Sequence, residues 1–443
     1  MFDRNMLTKE QILNLFQSQT IQSEWSFKDY KPSQIRKWSH GYHRYPAKFI
    51  PQLVEKLIDE HINTKTANIN DPFMGSGTTV VTAISRGFKA SGVDINRMAY
   101  LITKVKATPI EPIYLDNQIT QFLAQLSFLA APKSSPSVAL VKPLIPENHL
   151  DKINYWFPEQ NKYELGQILR IIENIDDPTI RDFLRVAFSH ILKNCSIWLQ
   201  GSSKPTRDSK KIPAKPYKIL LRHLKQMQKA NNEFYQVVPA NVRNNLEDYL
   251  NIHIEDATKQ PLADNSVDLI ISSSPYVTSY EYADLHQLST IWLNLAEDLT
   301  EYRKNFIGTS HRSDDRKVLK SSIAQDIISQ LAGKNQKFAR EIKTFFVDMQ
   351  MVFEDSFRIL KPHGKCCYVI GNTKLKGVDI LNAQVFAESL QYVGFKLSKI
   401  IVREIPSKIL PQKRDEQTGR FANCQNANTE AYPIEYIVIG IKE

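Results

Sequence analysis

At 443 residues, 42% hydrophobic and 23% charged, the chain has the composition of a soluble globular protein with one large domain or two ordinary ones. No run of about 18 apolar residues occurs, which argues against a helical membrane span. The four cysteines lack CxxC spacing, so structural zinc and a disulfide framework are not expected and a reducing, cytoplasmic setting fits. A net charge of +10 suits a polyanionic partner.

The opening MFDRNMLTKEQILNLFQ reads as an amphipathic helix without the apolar core of a signal peptide. Residues 51–64 have helical spacing, with Pro51 at a permitted first-turn position. The stretch 67–96 reads strand, glycine turn, helix, glycine stop, strand. Proline-rich 131–146 looks like a linker. Helical patterns follow in YELGQILRIIENI and PTIRDFLRVAFSHILKNCS, leading into a basic stretch at 201–230. From about 249 the alternation returns. DYLNIHIEDA and SVDLIISSS read as strands, DLHQLSTIWLNLA and AREIKTFFVDMQMVFEDSFRIL as helices. GKCCYVIGN is a strand, NAQVFAESLQYVG a helix, FKLSKIIVREI and PIEYIVIGIK two last strands. On the first of these, Cys366 and Cys367 should face opposite ways. The alternation predicts a mostly parallel α/β sheet covered on both faces. The expected organisation is an N-terminal helical extension at 1–39, one α/β domain from 40–109 and 246–443, and a mainly helical insertion at 110–245.

DPFMGSGTT (71–79) falls where a strand ends and a helix begins. Gly75 and Gly77 permit a sharp turn and a close approach to a ligand. About 17 residues on, GVDIN puts Asp94 at the end of the next strand, where a carboxylate accepts hydrogen bonds from two ribose hydroxyls. The lysine of a P-loop is absent, which argues against an NTPase. Thr78, Thr79 and Val80 follow Gly77, so the six-residue dinucleotide fingerprint is missing too. A nucleoside ligand without a pyrophosphate is the better match.

DPFMGSGTT and GVDIN, with SSSPY (272–276) after SVDLII, resemble the amino-group DNA methyltransferases over roughly 40–110 and 245–443. In that family an FxGxG loop binds S-adenosylmethionine and a [DNS]PP[YFW] loop handles the target base. The resemblance implies a Rossmann-like methyltransferase fold, S-adenosyl-L-methionine as cofactor and no metal. It implies that Asp71, Phe73, Gly75, Gly77, Thr78, Asp94 and Asn96 surround the cofactor. HRYPAKFIP (43–51) looks like the family's cofactor-pocket segment, adding Tyr45, Pro46, Lys48 and Phe49, and Asp256 matches the acid that meets the adenine ring. A serine opening the tetrapeptide is typical of the cytosine-N4 branch, and Asp-Pro-Pro-Tyr is commoner in the adenine-N6 branch. VTSYEYADLHQLSTIWL also looks like the cytosine branch.

The chemistry accounts for these residue types. An exocyclic amine is a poor nucleophile because its lone pair is delocalised into the ring. Accepting hydrogen bonds from both N–H groups makes the nitrogen more tetrahedral and electron-rich as it attacks a sulfonium methyl. By resemblance the Ser273 hydroxyl and the Ser274 backbone carbonyl are those acceptors, in a loop completed by Pro275. One in-line transfer needs chiefly alignment and electrostatics. The target base would be flipped out of the duplex and stacked on Tyr276. The family has proline where this chain has Ser274. The carbonyl survives that change, but proline's fixed φ is lost. Three readings stand: a natural variant, an engineered weakening, or a decayed enzyme.

Between 201 and 229 nine Lys/Arg face one acid, Asp208. Lys204, Arg207, Lys210, Lys211 and Lys215 are candidate contacts to double-stranded DNA, since such a segment neutralises several phosphates. The polar excursion 403–433 adds Lys408, Lys413 and Arg414, and His311 and Arg312 lie in a similar connection. The expected function is cytosine-N4 DNA methylation in bacterial or phage restriction–modification, with a possible cognate restriction endonuclease and an undetermined oligomeric state. An adenine-N6 enzyme, an RNA guanine-N2 enzyme and a catalytically silent DNA-binding subunit remain as alternatives.

Overall fold

The computed structural model describes residues 6–45, 49–130, 141–202, 204–277, 282–309, 318–405, 413–414, 429–430 and 434–443. Its centre is a seven-stranded sheet of β1 (Asn68–Asp71), β2 (Lys89–Val93), β3 (Leu250–His253), β4 (Val267–Ser273), β5 (Leu360–Ile370), β6 (Phe395–Glu404) and β7 (Ile434–Lys442). The spatial order is β3-β2-β1-β4-β5-β7-β6. The first five strands run parallel, and β7 is antiparallel to both its neighbours. The sheet is thus an open, doubly wound α/β arrangement, and its strand order reverses between β1 and β4.

Helices cover both faces. In chain order they begin with α1 (Lys9–Gln17), α2 (Pro51–His61), α3 (Thr78–Ser85) and α4 (Arg97–Ala107). The α1 helix starts at a capping box in which Thr8 and Gln11 satisfy each other's backbone N–H, and it buries Ile12 and Phe16. The stretch 110–245, expected as the insertion, contributes α5 (Pro112–Gln125), α6 (Leu150–Trp156), α7 (Glu159–Glu173), α8 (Pro178–Cys195) and α9 (Pro216–Val237). Proline stands at the first turn of α5, α8 and α9, where its missing N–H costs nothing, and Asp177 caps α8. The chain returns to the sheet and adds α10 (Gln287–Trp292), α11 (Ser322–Ala332), α12 (Gln336–Ile359) and α13 (Asn382–Val393).

On one face of the sheet, Ile270, Cys366, Tyr368 and Val438 pack against α11, α12 and α13. On the other, Ile69, Ile271, Cys367, Val369 and Ile437 pack against α2 and α3. Cys366 and Cys367 therefore point to opposite faces, as their adjacency on a strand requires. Burial on both faces explains why CCYVI reads as a continuous apolar run.

Two elements are shorter than their sequence patterns. Of DYLNIHIEDA only Leu250–His253 is strand, because this edge strand pairs only with Ala90–Val93, and Leu246–Tyr249 is helical. DLHQLSTIWLNLA breaks into a short turn of helix at Tyr282–Leu285 and α10, parted at the buried His286. The insertion packs around its own apolar cluster, including Trp156, Leu165, Phe183, Phe188 and Leu224. That cluster also takes in Tyr42, Met98 and Leu101 of α4, and Leu288, Ile291 and Trp292 of α10.

Candidate active-site cleft

An open cleft of about 800 Å³ lies at the carboxyl ends of β1, β2 and β4, where open α/β sheets bind ligands. Phe73, Met74, Gly75, Ser76 and Thr78 from the glycine loop line it, with Asp71 and Asp94 at the strand ends. Tyr45 and Phe49 come from the N-terminal side, and Glu255, Asp256 and Ala257 from the loop after β3. Ser273 and Pro275 close it from β4. These segments, far apart in sequence, thus share one cavity.

The glycine loop folds this way for local reasons. Gly75 and Gly77 have φ of +49° and +76°, the left-handed region that favours glycine. A Cβ on Gly75 would stand 3.3 Å from the Tyr45 ring, and one on Gly77 would meet Thr103 Cγ2 at 2.8 Å. Thr103 Oγ1 donates to the Gly75 carbonyl at 3.0 Å, and the fully buried Lys106 donates to the Ser76 carbonyl at 3.2 Å. The loop is therefore clamped from below by α4.

Asp94 ties that loop to the strand beside it. One carboxylate oxygen accepts from Gly75 N at 2.9 Å and the other from Asn96 N at 2.8 Å. Burial pushes the Asp94 carboxyl up to about 6, against those two hydrogen bonds. Asp71 accepts from Phe73 N at 3.0 Å and from the Ser272 hydroxyl at 2.6 Å, and burial pushes it up to about 7. Asp256 accepts from Thr258 N at 2.9 Å and stays partly exposed. Neighbouring Gln260 N donates to Asp355 Oδ2 at 2.9 Å, fixing the loop on α12.

Several sequence candidates sit elsewhere. Gly77 lies below the cleft as the N-cap of α3. Asn96 is 1% exposed and does not line the cleft. Its side-chain oxygen caps α4 by accepting from Met98 N at 2.9 Å. Pro46 and Lys48 lie outside the described residues, as do Lys408, His311 and Arg312. The side chains of Lys413 and Arg414 do as well, although their backbones pair with 429–430 in a small antiparallel ladder.

Within the tetrapeptide, Ser273 and Pro275 face the cleft, while Ser274 and Tyr276 are buried. The Ser274 hydroxyl donates to the Val369 carbonyl at 3.5 Å, the outer limit of a hydrogen bond. The Tyr276 hydroxyl donates to Glu435 Oε1 at 2.7 Å, and its ring lies against Gly371, where a Cβ would stand 3.1 Å from it. Glu435 is the direct cross-strand partner of Arg403, with 3.7 Å between Oε2 and Nη1.

Of the basic candidates, Lys204, Arg207, Lys210 and Lys215 are exposed. Arg207 lies over the Tyr155 ring at 4.9 Å. Lys211 is a correction to the DNA-contact set. Its ammonium donates to the carbonyls of Lys193 at 2.7 Å and Trp198 at 2.6 Å, and to Gln200 Oε1 at 3.2 Å. All three of its protons are used in holding the loop after α8.

Sequence reasoning missed Asn305, Phe306 and Ile307, which cover the cleft from a loop with no motif of its own. It also missed a buried histidine layer behind Tyr45. The Tyr45 ring rests on His286 at 4.9 Å, and the His190 and His223 rings stack at 3.7 Å. His43 Nε2 lies 2.8 Å from Ser189 Oγ, itself 2.7 Å from Ser289 Oγ. Burial lowers all four histidines, His286 and His223 to about 4 and His190 to about 2, so the layer is neutral packing. Among the described residues no cluster of three or more metal-ligating side chains occurs.

The fold and cleft define the class: a Rossmann-like α/β scaffold with its candidate ligand cleft at the switch point. Residues 4–105 match the family model described as DNA methylase. Over most of its length the chain is similar to Type II methyltransferases. It is 25% identical to M.MvaI of Kocuria varians over 411 residues, 88% of this chain and 89% of the relative. It is 22% identical to M.BsoBI of Geobacillus stearothermophilus over 418 residues, 82% and 79% of the two chains. A segment of 67 residues is 49% identical to M.MjaII of Methanocaldococcus jannaschii, covering 15% of this chain and 12% of the relative.

Proposed function

We propose that the protein is an S-adenosylmethionine-dependent DNA methyltransferase that acts on the N4 amine of cytosine in duplex DNA. The observation that carries this reading is the single cleft shared by the glycine loop, Asp94, Asp256 and Ser273-Pro275. The cofactor fits the donor set. Asp94 would receive the ribose hydroxyls, and Phe73, Ile95 and Ala257 offer an apolar slot for an adenine beside Asp256. Gly75 leaves the room that a side chain against Tyr45 would fill. When bound, S-adenosylmethionine supplies a methyl group on a sulfonium, activated for transfer to a nucleophile.

The chain's own residues do the aligning. Ser273, at the end of β4, turns its side chain toward the cleft and would accept one N–H of the target amine. The Ser274 carbonyl would accept the other, leaving the nitrogen lone pair free to form the new N–C bond as the methyl's bond to the sulfonium sulfur breaks, after which one N–H proton is lost to solvent. Both groups lie at the end of a strand paired on each side, which limits the reorganisation left for the transition state. Lys204, Arg207, Lys210 and Lys215 on the insertion would engage phosphates, and a partner endonuclease would complete a restriction–modification pair.

The serine opening the tetrapeptide favours cytosine over adenine. Mass spectrometry of nucleosides from DNA of cells expressing the protein tests this directly. N4-methylcytosine is expected, and N6-methyladenine without it would replace the cytosine reading by the adenine one. Unmodified DNA, with cofactor and duplex still bound, would favour a silent subunit.

A further inference from the structure

The segment leading to Tyr45 lies along α9. His223 Nε2 on α9 is 2.9 Å from the Tyr42 carbonyl, and Trp38 and Phe234 rings meet at 6.5 Å. This docking brings three guanidinium groups from two distant stretches together: Arg36 and Arg44 on the segment, and Arg222 next to His223. All three are exposed, and none makes an ion pair among the described residues. Burial first, then the neighbouring Arg36 and Arg222 guanidiniums, lowers Arg44 from the usual arginine range. Lys193 is held near 8 by burial and by Lys211 and Arg44.

Like charges gathered without an acid cost stability in the free protein, and the usual reason for such an arrangement is a polyanion. The arginine fork suits phosphate oxygens in two-point contacts. Location narrows the ligand further. Arg44 directly precedes Tyr45, whose ring lines the cleft against Gly75. We infer that Arg36, Arg44 and Arg222 form a phosphate clamp for the DNA backbone beside the cleft, gripping the strand that carries the flipped nucleotide. Flipping rotates a nucleotide about its flanking phosphates, so a fixed grip there keeps the extruded base in register with Ser273. The clamp rests on the DNA-methyltransferase reading, and it joins the N-terminal segment to the insertion in one DNA-facing surface.

The test uses the full chain and a fluorescently labelled duplex of arbitrary sequence, with affinity measured against salt. Arg44→Gln and Arg222→Gln keep the apolar stems and remove the charge. Each is expected to weaken duplex binding roughly tenfold at moderate salt and to flatten the log–log salt slope by about one. Arg222→Lys should keep the slope while losing part of the affinity, because it retains the charge but not the fork. Cofactor affinity should stay at the wild-type value and the thermal midpoint should not fall, and Lys65→Gln, exposed in the turn before β1 at the opposite end of the sheet from the cleft, should leave the slope unchanged. Unaltered slope and affinity in the Arg44→Gln/Arg222→Gln double variant would overturn the clamp while leaving the methyltransferase reading intact. So would a loss confined to cofactor affinity or folding. Wild-type protein without salt-dependent duplex binding would bring down the DNA reading itself.

Discussion

Tyr276 is held at a distance of 159 residues in sequence, and that hold can be measured. Its hydroxyl donates to Glu435 at 2.7 Å, and Glu435 faces Arg403, which is 3% exposed. Removing the hydroxyl as Tyr276→Phe deletes one hydrogen bond to a charged acceptor, worth about 1.5–3 kcal/mol. Glu435→Ala does more, because it also strands the Arg403 guanidinium, and breaking a buried pair costs about 3–5 kcal/mol. Once Glu435 is gone, Tyr276→Phe should cost almost nothing further. A double-mutant cycle by urea denaturation is therefore expected to return a coupling above about 1 kcal/mol. Turnover gives the second readout. If Glu435 orients the ring, Glu435→Gln should lower kcat while sparing cofactor affinity, and Tyr276→Ala should cripple turnover in the same way. Additive stabilities, with a wild-type kcat in Glu435→Gln, would refute the claim that this carboxylate positions the tyrosine.

Other predictions follow from the cleft. Gly77→Ala combines a strained left-handed φ with a Cβ 2.8 Å from Thr103 Cγ2, and should cost roughly 2–4 kcal/mol in denaturant unfolding. Asp94 is raised from 3.8 to about 6 in the folded protein. In the free protein the unfolded chain ionises first. This group's contribution to stability is therefore greatest below its unfolded pKa and declines as pH rises through about 6. The ionised carboxylate is the form that accepts ribose hydroxyls, so cofactor affinity should fall about tenfold from pH 7 to pH 5. Asp94→Asn should bind weakly with a flat pH profile in the same titration. Ser274→Pro gives the loop the fixed φ of the proline that the resembling amino-group DNA methyltransferases carry there, and sacrifices only a marginal hydrogen bond to Val369. Its single-turnover rate should equal or exceed that of the wild type, and a lower rate would show that serine is the adapted residue here.

What could be read from the sequence was what is local. The strand–glycine–helix run at 67–96 declares itself because the turn residues and the apolar periods are contiguous. SSSPY at the end of an apolar strand is visible for the same reason. Several segments that line the candidate cleft, the glycine loop, GVDIN and SSSPY among them, each carry a sequence signature, whereas Asn305, Phe306 and Ile307 carry none. Asn96 went astray because its place beside Asp94 matches both a cofactor contact and a helix cap, and only geometry shows which backbone N–H groups it accepts from. Lys211 was one cation among nine until three acceptors were seen around its ammonium. Glu435 and Arg403 carry no motif, and their pairing depends on the antiparallel register of β7 on β6. Arg36, Arg44 and Arg222 are likewise scattered residues that only the docking of one segment on α9 brings together.

The apolar cluster of the insertion does not stop where the insertion does. Tyr42, Met98 and Leu101 enter it from before, and Leu288, Ile291 and Trp292 from after. A graft that exchanged only 110–245 for a relative's counterpart would cut through one continuous packing unit and leave its halves mismatched. The helices of 110–245 are therefore part of the scaffold's own core, and their packing is inherited with it.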